Sequence, residues 1–484
     1  MPSTPSTLQT DVAIIGAGTA GMSAYRAALE HTPKVLLIEG DRYGTTCARV
    51  GCMPSKLLIA AADAAHGVQH AARFGVHAGE LRVDGREVMQ RVRSERDRFV
   101  GFVVEAVERW PVEQRLMGEA RFIADQVLEV DGRTRVEASR IVIATGSRAD
   151  VPPLWRERLG SRLIVNDDVF DWETLPRSVA VAGTGVIGLE IAQALHRLGV
   201  RVRVYGRSER VGPLTDPALQ AVCREVLGGE LPMTLSVTAM EPSRAGDEVL
   251  IRAQTSSGAV SEERFDWLLA ATGRQPNVER LNLAATTLPL DAYGVPQHDR
   301  RTCQVGSRPV FIAGDASDDR PLLHEAADEG RIAGDNAGRF PDVRVRPRRA
   351  PLAVAFCDPQ IMVAGAGHAA LLAAGTAFDV GEVSFDDQGR SRVMGRNQGA
   401  LRVYGERATG RFLGAEMIGP AAEHLGHLLA WSVQRGDTVQ QMLDCPFYHP
   451  VVEEGLRTAL RQLQRALRMG PVPVERCLDC GPGA

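Results

Sequence analysis

The chain has 484 residues, 44% apolar and 24% charged, with a formal net charge of -4. That composition suits a globular protein of about two to four domains, and its near-neutral balance excludes the electrostatic footprint of a nucleic-acid binder. No run of about 18 apolar residues occurs, which excludes a spanning helix and a membrane partner, and residues 1–10 lack the apolar core of a secretion signal, so a cytoplasmic protein is expected.

Residues 11–15 predict a strand feeding the glycine cluster Gly16-Ala17-Gly18-Thr19-Ala20-Gly21. A helix is expected over 22–31, and a second strand over 35–38 that ends at Glu39. In such a strand–turn–helix–strand unit the glycines let backbone N–H groups approach a pyrophosphate at the helix N-terminus. The acid about 20 residues on accepts hydrogen bonds from a ribose diol. Cys47 and Cys52 follow, separated by Ala48-Arg49-Val50-Gly51, with Pro54 suited to the first turn of a helix. A thiolate ahead of that turn gains about 0.3–1 kcal/mol from the helix dipole. Eight cysteines over this length are no disulfide framework, and in a reducing compartment a close pair is catalytic or metal-binding. Zinc wants four ligands in clustered pairs. The other close pair, Cys477 and Cys480, lies at the far end of the chain and no histidine adjoins Cys47, so no metal is expected.

Residues 86–110 carry Val88, Met89, Val92, Phe99, Phe102, Val103 and Val107 between charges, which predicts an amphipathic helix packed on its own domain. A strand over 140–143 closes at the turn Ala144-Thr145-Gly146. The pattern restarts at Ser178: an apolar run enters Gly183-Thr184-Gly185-Val186-Ile187-Gly188, followed by a helix to Leu198, a strand over 200–205 and the turn Ala271-Thr272-Gly273. One such fingerprint is weak evidence; two in full context predict two dinucleotide sites. A further strand ends at Gly314-Asp315, and a helix is expected from about 322 to 337. The proline-rich stretch 341–351 reads as a boundary, its basic run 344–349 as a solvated linker. Strands over 380–383 and 399–403 with terminal helices predict a third, mixed domain. There His449 precedes Glu454 by five residues, and an imidazole titrating near neutral pH suits moving the proton of a thiol. Dinucleotide sites, a dithiol and a base together specify redox chemistry at sulfur.

On these motifs the sequence resembles the flavoprotein disulfide reductases, the class I pyridine nucleotide-disulfide oxidoreductases, over residues 10–468. The likeness is greatest to dihydrolipoamide dehydrogenase. The resemblance implies an α/β fold with two Rossmann-like dinucleotide-binding domains and a C-terminal α+β dimerisation domain. The expected division is an FAD-binding domain over 1–150 and 276–345, an NAD(P)-binding domain over 151–275, a dimerisation domain over 346–470 and a flexible tail over 471–484. It implies FAD at Gly16, Gly18, Gly21, Glu39, Gly146 and Asp315, and NAD(P)H at Gly183, Gly185, Gly188 and Gly273. It further implies that Cys47 attacks the substrate, that Cys52 faces the flavin, and that Lys56 and Glu190 form an ion pair near it. His449, oriented by Glu454, would complete the disulfide site of the partner subunit in a homodimer.

The expected substrate is a small-molecule or lipoyl-domain disulfide. The alternatives are an NADPH-dependent glutathione reductase and a flavin-bound sensor or assembly protein without turnover. Several positions depart from the family. Thr45 stands where glycine is usual, Ala48-Arg49 replaces Leu-Asn, and Phe447 takes a place where histidine is frequent; Arg26 and Arg331 resemble substrate-binding arginines of glutathione reductase. The strand over 200–205 lacks a terminal acid and continues into Gly206, Arg207 and, farther on, Arg210, which favours NADPH: a carboxylate there would repel a 2′-phosphate, and guanidinium groups pair with one. Cys477 and Cys480 are expected to be incidental thiols of the tail.

Overall fold

The computed structural model describes residues 6–469, which fold as two units. The first gathers 6–57, 91–150 and 273–348, the second 58–90, 151–272 and 349–469. Cys477 and Cys480 lie outside the described residues.

The first unit is built on a sheet with the order Arg115–Met117, Val35–Glu39, Ser6–Ile15, Thr134–Ile143, Val127–Val130 and Ala120–Ala124, and Val310–Ile312 also pairs with Thr134–Ile143. Its central pairs are parallel, with Ile14 opposite Leu37 and Val142, and Val142 opposite Phe311. Both faces are covered, which is why these strands read as continuous apolar runs rather than as an alternation. The first strand begins at Ser6, five residues ahead of its expected start. One leucine between the polar Thr7 and Gln9 is too little to signal a core strand, but Thr7, Leu8 and Gln9 pair with Arg135, Val136 and Glu137 of a strand that also closes an antiparallel meander. On one face pack the helices Thr19–Leu29 and Leu323–Arg339. Their approach is set by glycine: a Cβ at Gly330 would lie 2.1 Å from the Ala20 carbonyl oxygen, and one at Gly334 2.1 Å from that of Ala24.

The second unit carries a parallel sheet ordered Met233–Thr234, Arg201–Tyr205, Ser178–Ala182, Trp267–Ala270 and Leu163–Ile164. Every residue of Ser178–Ala182 is buried. A three-stranded antiparallel sheet, Val237–Ala245, Glu248–Thr255 and Val260–Phe265, adjoins it. Its C-terminal part is a five-stranded antiparallel sheet from Leu352–Ala355 to Phe378–Ser384 with the helices Ala422–Arg435 and Glu453–Leu467 against it.

Two expectations need correction. The basic run is a solvated linker only in part: Arg344 and Arg349 are exposed, but Arg346 pairs with Asp335 at 2.9 Å, and the largely buried Arg348 bonds Glu325 and Glu329, both at 2.7 Å, within the first unit. Three carboxylates buried by the fold (Asp319, Glu325 and Glu329) demand the cation, a demand no local composition reveals. The long amphipathic helix, Gly85–Glu108, buries Met89, Val92 and Val107 but leaves Phe102 55% exposed beneath the Arg98 guanidinium, so its apolar stripe is only partly covered by this chain.

Candidate active site

The first glycine cluster forms a cradle. Gly16 has φ +105°, and a Cβ there would lie 2.3 Å from the Ala144 carbonyl oxygen; one on Gly21 would lie 1.8 Å from the Gly16 oxygen. These two glycines bring strand, turn and helix into contact. Gly18, the N-cap of Thr19–Leu29, has nothing within 4 Å of its Cβ position and opens onto a cavity of about 440 Å³. Glu39 and Gly146 share its wall with Thr45, Thr46 and Arg49. The Glu39 carboxylate accepts from Ala17 N at 2.7 Å and Asp41 N at 3.1 Å, which ties the strand end to the glycine turn.

Asp315 is not on that wall. It sits on the turn Gly314–Ser317, where it accepts from Ser147 Oγ at 2.7 Å, and the Gly314 N–H beside it donates to Glu329 at 2.8 Å. Sequence reasoning missed Thr45, Thr46, Arg49, Arg148, Asn277 and Arg280 as cavity residues, because none of them belongs to the glycine fingerprint. The Thr145 hydroxyl on the same wall is buried without a hydrogen-bond partner. A diphosphate-linked dinucleotide fits these features: unsatisfied N–H groups at a helix start, a wall cleared of side-chain bulk at Gly18, and an orphaned hydroxyl.

Cys47 lies in the short helix Thr46–Val50, and Cys52 opens the helix Cys52–His70, with Pro54 in its first turn. The turn ahead of Cys47 is held by Thr45, whose hydroxyl accepts from Ala48 N at 3.2 Å. The two sulfurs are not joined in a disulfide. A hydrogen bond to Cys52, with burial second, pushes the Cys47 thiol above its ordinary value, so Cys47 keeps its proton until a base takes it. One turn beyond Cys52, Lys56 Nζ donates to Ser55 Oγ at 3.4 Å.

The second unit repeats the cradle. A Cβ on Gly183 would lie 2.1 Å from the Ala271 carbonyl oxygen and one on Gly188 2.2 Å from that of Gly183, while Gly185 caps Val186–Arg197 with nothing within 4 Å. Gly273, at φ +145°, belongs instead to the first unit, where it accepts from Asp150 N at 2.9 Å. Glu190 is buried on the Val186–Arg197 helix and accepts from Phe356 N at 2.8 Å. In the loop after Arg201–Tyr205, Gly206 is buried, and a Cβ there would meet Thr184 Cγ2 at 2.8 Å and Leu235 Cδ2 at 3.0 Å. A side chain at this position would have to displace those two side-chain tips. Arg207 is exposed and forms no hydrogen bond or ion pair among the described residues. Arg210 is not equally available, because its guanidinium donates to Pro213 O at 3.1 Å.

His449 Nδ1 lies 3.0 and 3.1 Å from the two oxygens of Glu454, which also accepts from Arg457 at 3.0 Å and Val451 N at 3.3 Å. The Glu454 side chain is 3% exposed and that of His449 58%. With Nδ1–H donating inward, the lone pair of the neutral ring is on Nε2, the edge turned outward. Arg26, considered as a substrate arginine, is instead stacked over Trp110 at 5.5 Å.

Two dinucleotide cradles, a vicinal dithiol and a carboxylate-held imidazole define a flavin-linked disulfide reductase. The chain belongs to the pyridine nucleotide-disulphide oxidoreductase family, which matches residues 10–330, and the family's dimerisation domain matches residues 352–460. It is 30% identical to dihydrolipoyl dehydrogenase of Pseudomonas aeruginosa over 480 residues, covering 96% of this chain and 99% of that one. It is 29% identical to that of Haloferax volcanii over 93% of this chain and 95% of the relative, and 30% identical to mercuric reductase of Shigella flexneri over 94% and 81%. The fold matches LpdA from Mycobacterium tuberculosis with a TM-score of 0.80 at 23% identity, covering 94% of this chain and 99% of that one. It matches the HOCl-induced flavoprotein disulfide reductase RclA from Escherichia coli with a TM-score of 0.76 at 22% identity over 94% and 99%. The family implies FAD and a pyridine nucleotide, and the dimerisation domain supports a homodimer. Among the described residues, no helix is long and apolar enough to cross a membrane.

Proposed function

We propose that this oxidoreductase exchanges two electrons between NADPH and a lipoyl-type dithiol/disulfide through Cys47 and Cys52. The observation that carries the reading is the pair of thiols at the head of the Cys52–His70 helix, together with an imidazole whose Nδ1 is tethered and whose Nε2 is free to work. The first glycine cradle and Asp315 would hold FAD, which when bound would supply a two-electron relay between nicotinamide and disulfide. In the reducing direction, the Cys47 thiolate attacks one substrate sulfur. That forms a mixed disulfide and breaks the substrate S–S bond. His449 of the partner subunit, which has taken the Cys47 proton, returns it to the departing sulfur. Cys52 then attacks Cys47, closes the Cys47–Cys52 disulfide and releases the second thiol. Glu454 keeps the imidazole in the tautomer the transfer needs.

The test is an assay of the purified protein with lipoamide, glutathione disulfide, thioredoxin and Hg(II), each against NADH and NADPH. Lipoamide with NADPH is expected to give the highest kcat/KM. Glutathione disulfide outpacing lipoamide severalfold transfers the assignment to a glutathione reductase, and a purified protein without flavin overturns the reading altogether. Two-electron reduction of the holoenzyme is expected to raise a long-wavelength absorption band from the Cys52 thiolate; Cys52→Ser abolishes it, and its survival would remove Cys52 from the flavin-facing position.

Coenzyme choice is proposed from the loop at Gly206. With no acid at that position and Arg207 uncommitted, a 2′-phosphate finds a partner and no repulsion. Arg207→Ala is expected to raise KM for NADPH about ten- to a hundredfold and to leave KM for NADH nearly unchanged. That range is the worth of a charged hydrogen bond of about 1.5–3 kcal/mol. Steady-state kinetics with both coenzymes decide it, and a wild-type enzyme more efficient with NADH refutes the preference.

A further inference from the structure

We propose that Arg49, between the two redox cysteines, is a diphosphate-binding residue of the first dinucleotide cavity. The proposal rests on reading that cavity as the FAD site. Arg49 shares the wall with Gly16, Ala17, Gly18, Thr45 and Thr46, next to the start of the helix Thr19–Leu29, where backbone N–H groups lack intrahelical acceptors. The other arginines of the wall are accounted for: Arg148 pairs with Glu279 at 2.8 Å, Arg280 with Glu119 at 2.9 Å, and Arg42 is largely in solvent. Arg49 differs from them. Its side chain is only 22% exposed, and it donates a single hydrogen bond, from Nη1 to Arg42 O at 3.2 Å. Its Nε is buried with no partner, and the nearest carboxylate, Asp41, stands 3.7 Å off and is itself exposed. Among the described residues Glu39, on the same wall, forms no ion pair with Arg49, and its carboxylate accepts backbone N–H groups instead.

The side chain is also held in place. Its stem lies on Gly44, where a Cβ would come within 3.0 Å of Arg49 Cδ, so a side chain on residue 44 would crowd the stem. A mostly enclosed guanidinium with one of its five donors used carries an unmet desolvation cost, and a diphosphate is the partner whose oxygens match its planar fork. Arg49 is also a departure: the family this chain resembles usually has a neutral asparagine there. The chain thus adds a positive side chain to a cradle otherwise made of backbone N–H groups, and it does so on the segment that also carries Cys47.

Deflavo-protein of wild type, Arg49→Asn and Arg49→Lys is titrated with FAD, ADP and adenosine by calorimetry. Arg49→Asn is expected to weaken FAD and ADP about tenfold or more, equivalent to about 1.4 kcal/mol, and to leave adenosine, which has no diphosphate, within about twofold. Arg49→Lys keeps the charge without the fork, so an intermediate affinity is expected; it also provides the comparison should Arg49→Asn fail to fold. Wild-type affinity for FAD and ADP in both variants, or an equal loss for adenosine, overturns the proposal while leaving the FAD reading intact. A wild-type protein that binds neither FAD nor ADP overturns the FAD reading and this proposal with it.

Discussion

Replacing His449 with glutamine is expected to lower disulfide turnover by about 10²–10⁴, the range for losing a general acid or base, with flavin content unchanged. Glutamine can reach toward Glu454 but has no site that exchanges a proton near neutral pH. Wild-type His449 has both requirements: one nitrogen anchored at 3.0 Å to a carboxylate buried behind it, and the other nitrogen on an exposed edge. The pushed-up Cys47 thiol makes the base necessary, since it is protonated unless a group removes the proton. The effect should fall on kcat with lipoamide while reduction of the bound flavin by NADPH proceeds at the wild-type rate, and rapid-mixing spectrophotometry separates the two. A loss below about threefold would place the base elsewhere.

Arg348→Ala should destabilise the first unit by about 3–5 kcal/mol, the cost of removing one partner from a buried ion cluster. Arg348 bonds Glu325 and Glu329 at 2.7 Å each and Asp319 at 3.3 Å, and all three carboxylates are shielded from solvent. Burial pushes the Glu329 carboxyl up, and Arg348 works against that push; burial likewise acts to raise Glu325, but Arg348 and Arg320 hold it below its ordinary value. Without the guanidinium Glu329 must ionise unaided or stay neutral, and Glu325 keeps only Arg320. Glu329 also accepts from Gly314 N at 2.8 Å and Ser317 Oγ at 3.2 Å, so the turn carrying Asp315 should loosen with it. Urea unfolding should therefore show flavin release ahead of the main transition in the variant. Arg344→Ala is the control: its pair with Asp342 at 3.0 Å is exposed and should contribute less than about 1 kcal/mol. Equal losses for the two variants would show that the cluster is not what holds this corner.

Much of the fold was legible because it is written in short-range patterns. Gly16 to Gly21 and Gly183 to Gly188 each follow an apolar run and open a helix, and the tight turn they make depends on contacts within the same unit, such as Gly21 against Gly16 O. The spacing of Cys47 from Cys52, and of His449 from Glu454, is likewise local, so the hydrogen bonds within each pair follow from a few turns of chain.

What the sequence by itself determined is thus the set of local units: two glycine cradles, a dithiol at a helix start and an imidazole held by a carboxylate. What only tertiary structure decided is every feature whose partner comes from far along the chain. A run of arginines looked solvated until Asp319, Glu325 and Glu329 were gathered around Arg348. Residues 6–10 looked like a polar lead-in until Thr134–Ile143 paired with them. The physical reason is common to all: a charge or a backbone N–H is satisfied equally well by water or by a buried partner, and composition near the residue does not say which one the folded chain provides.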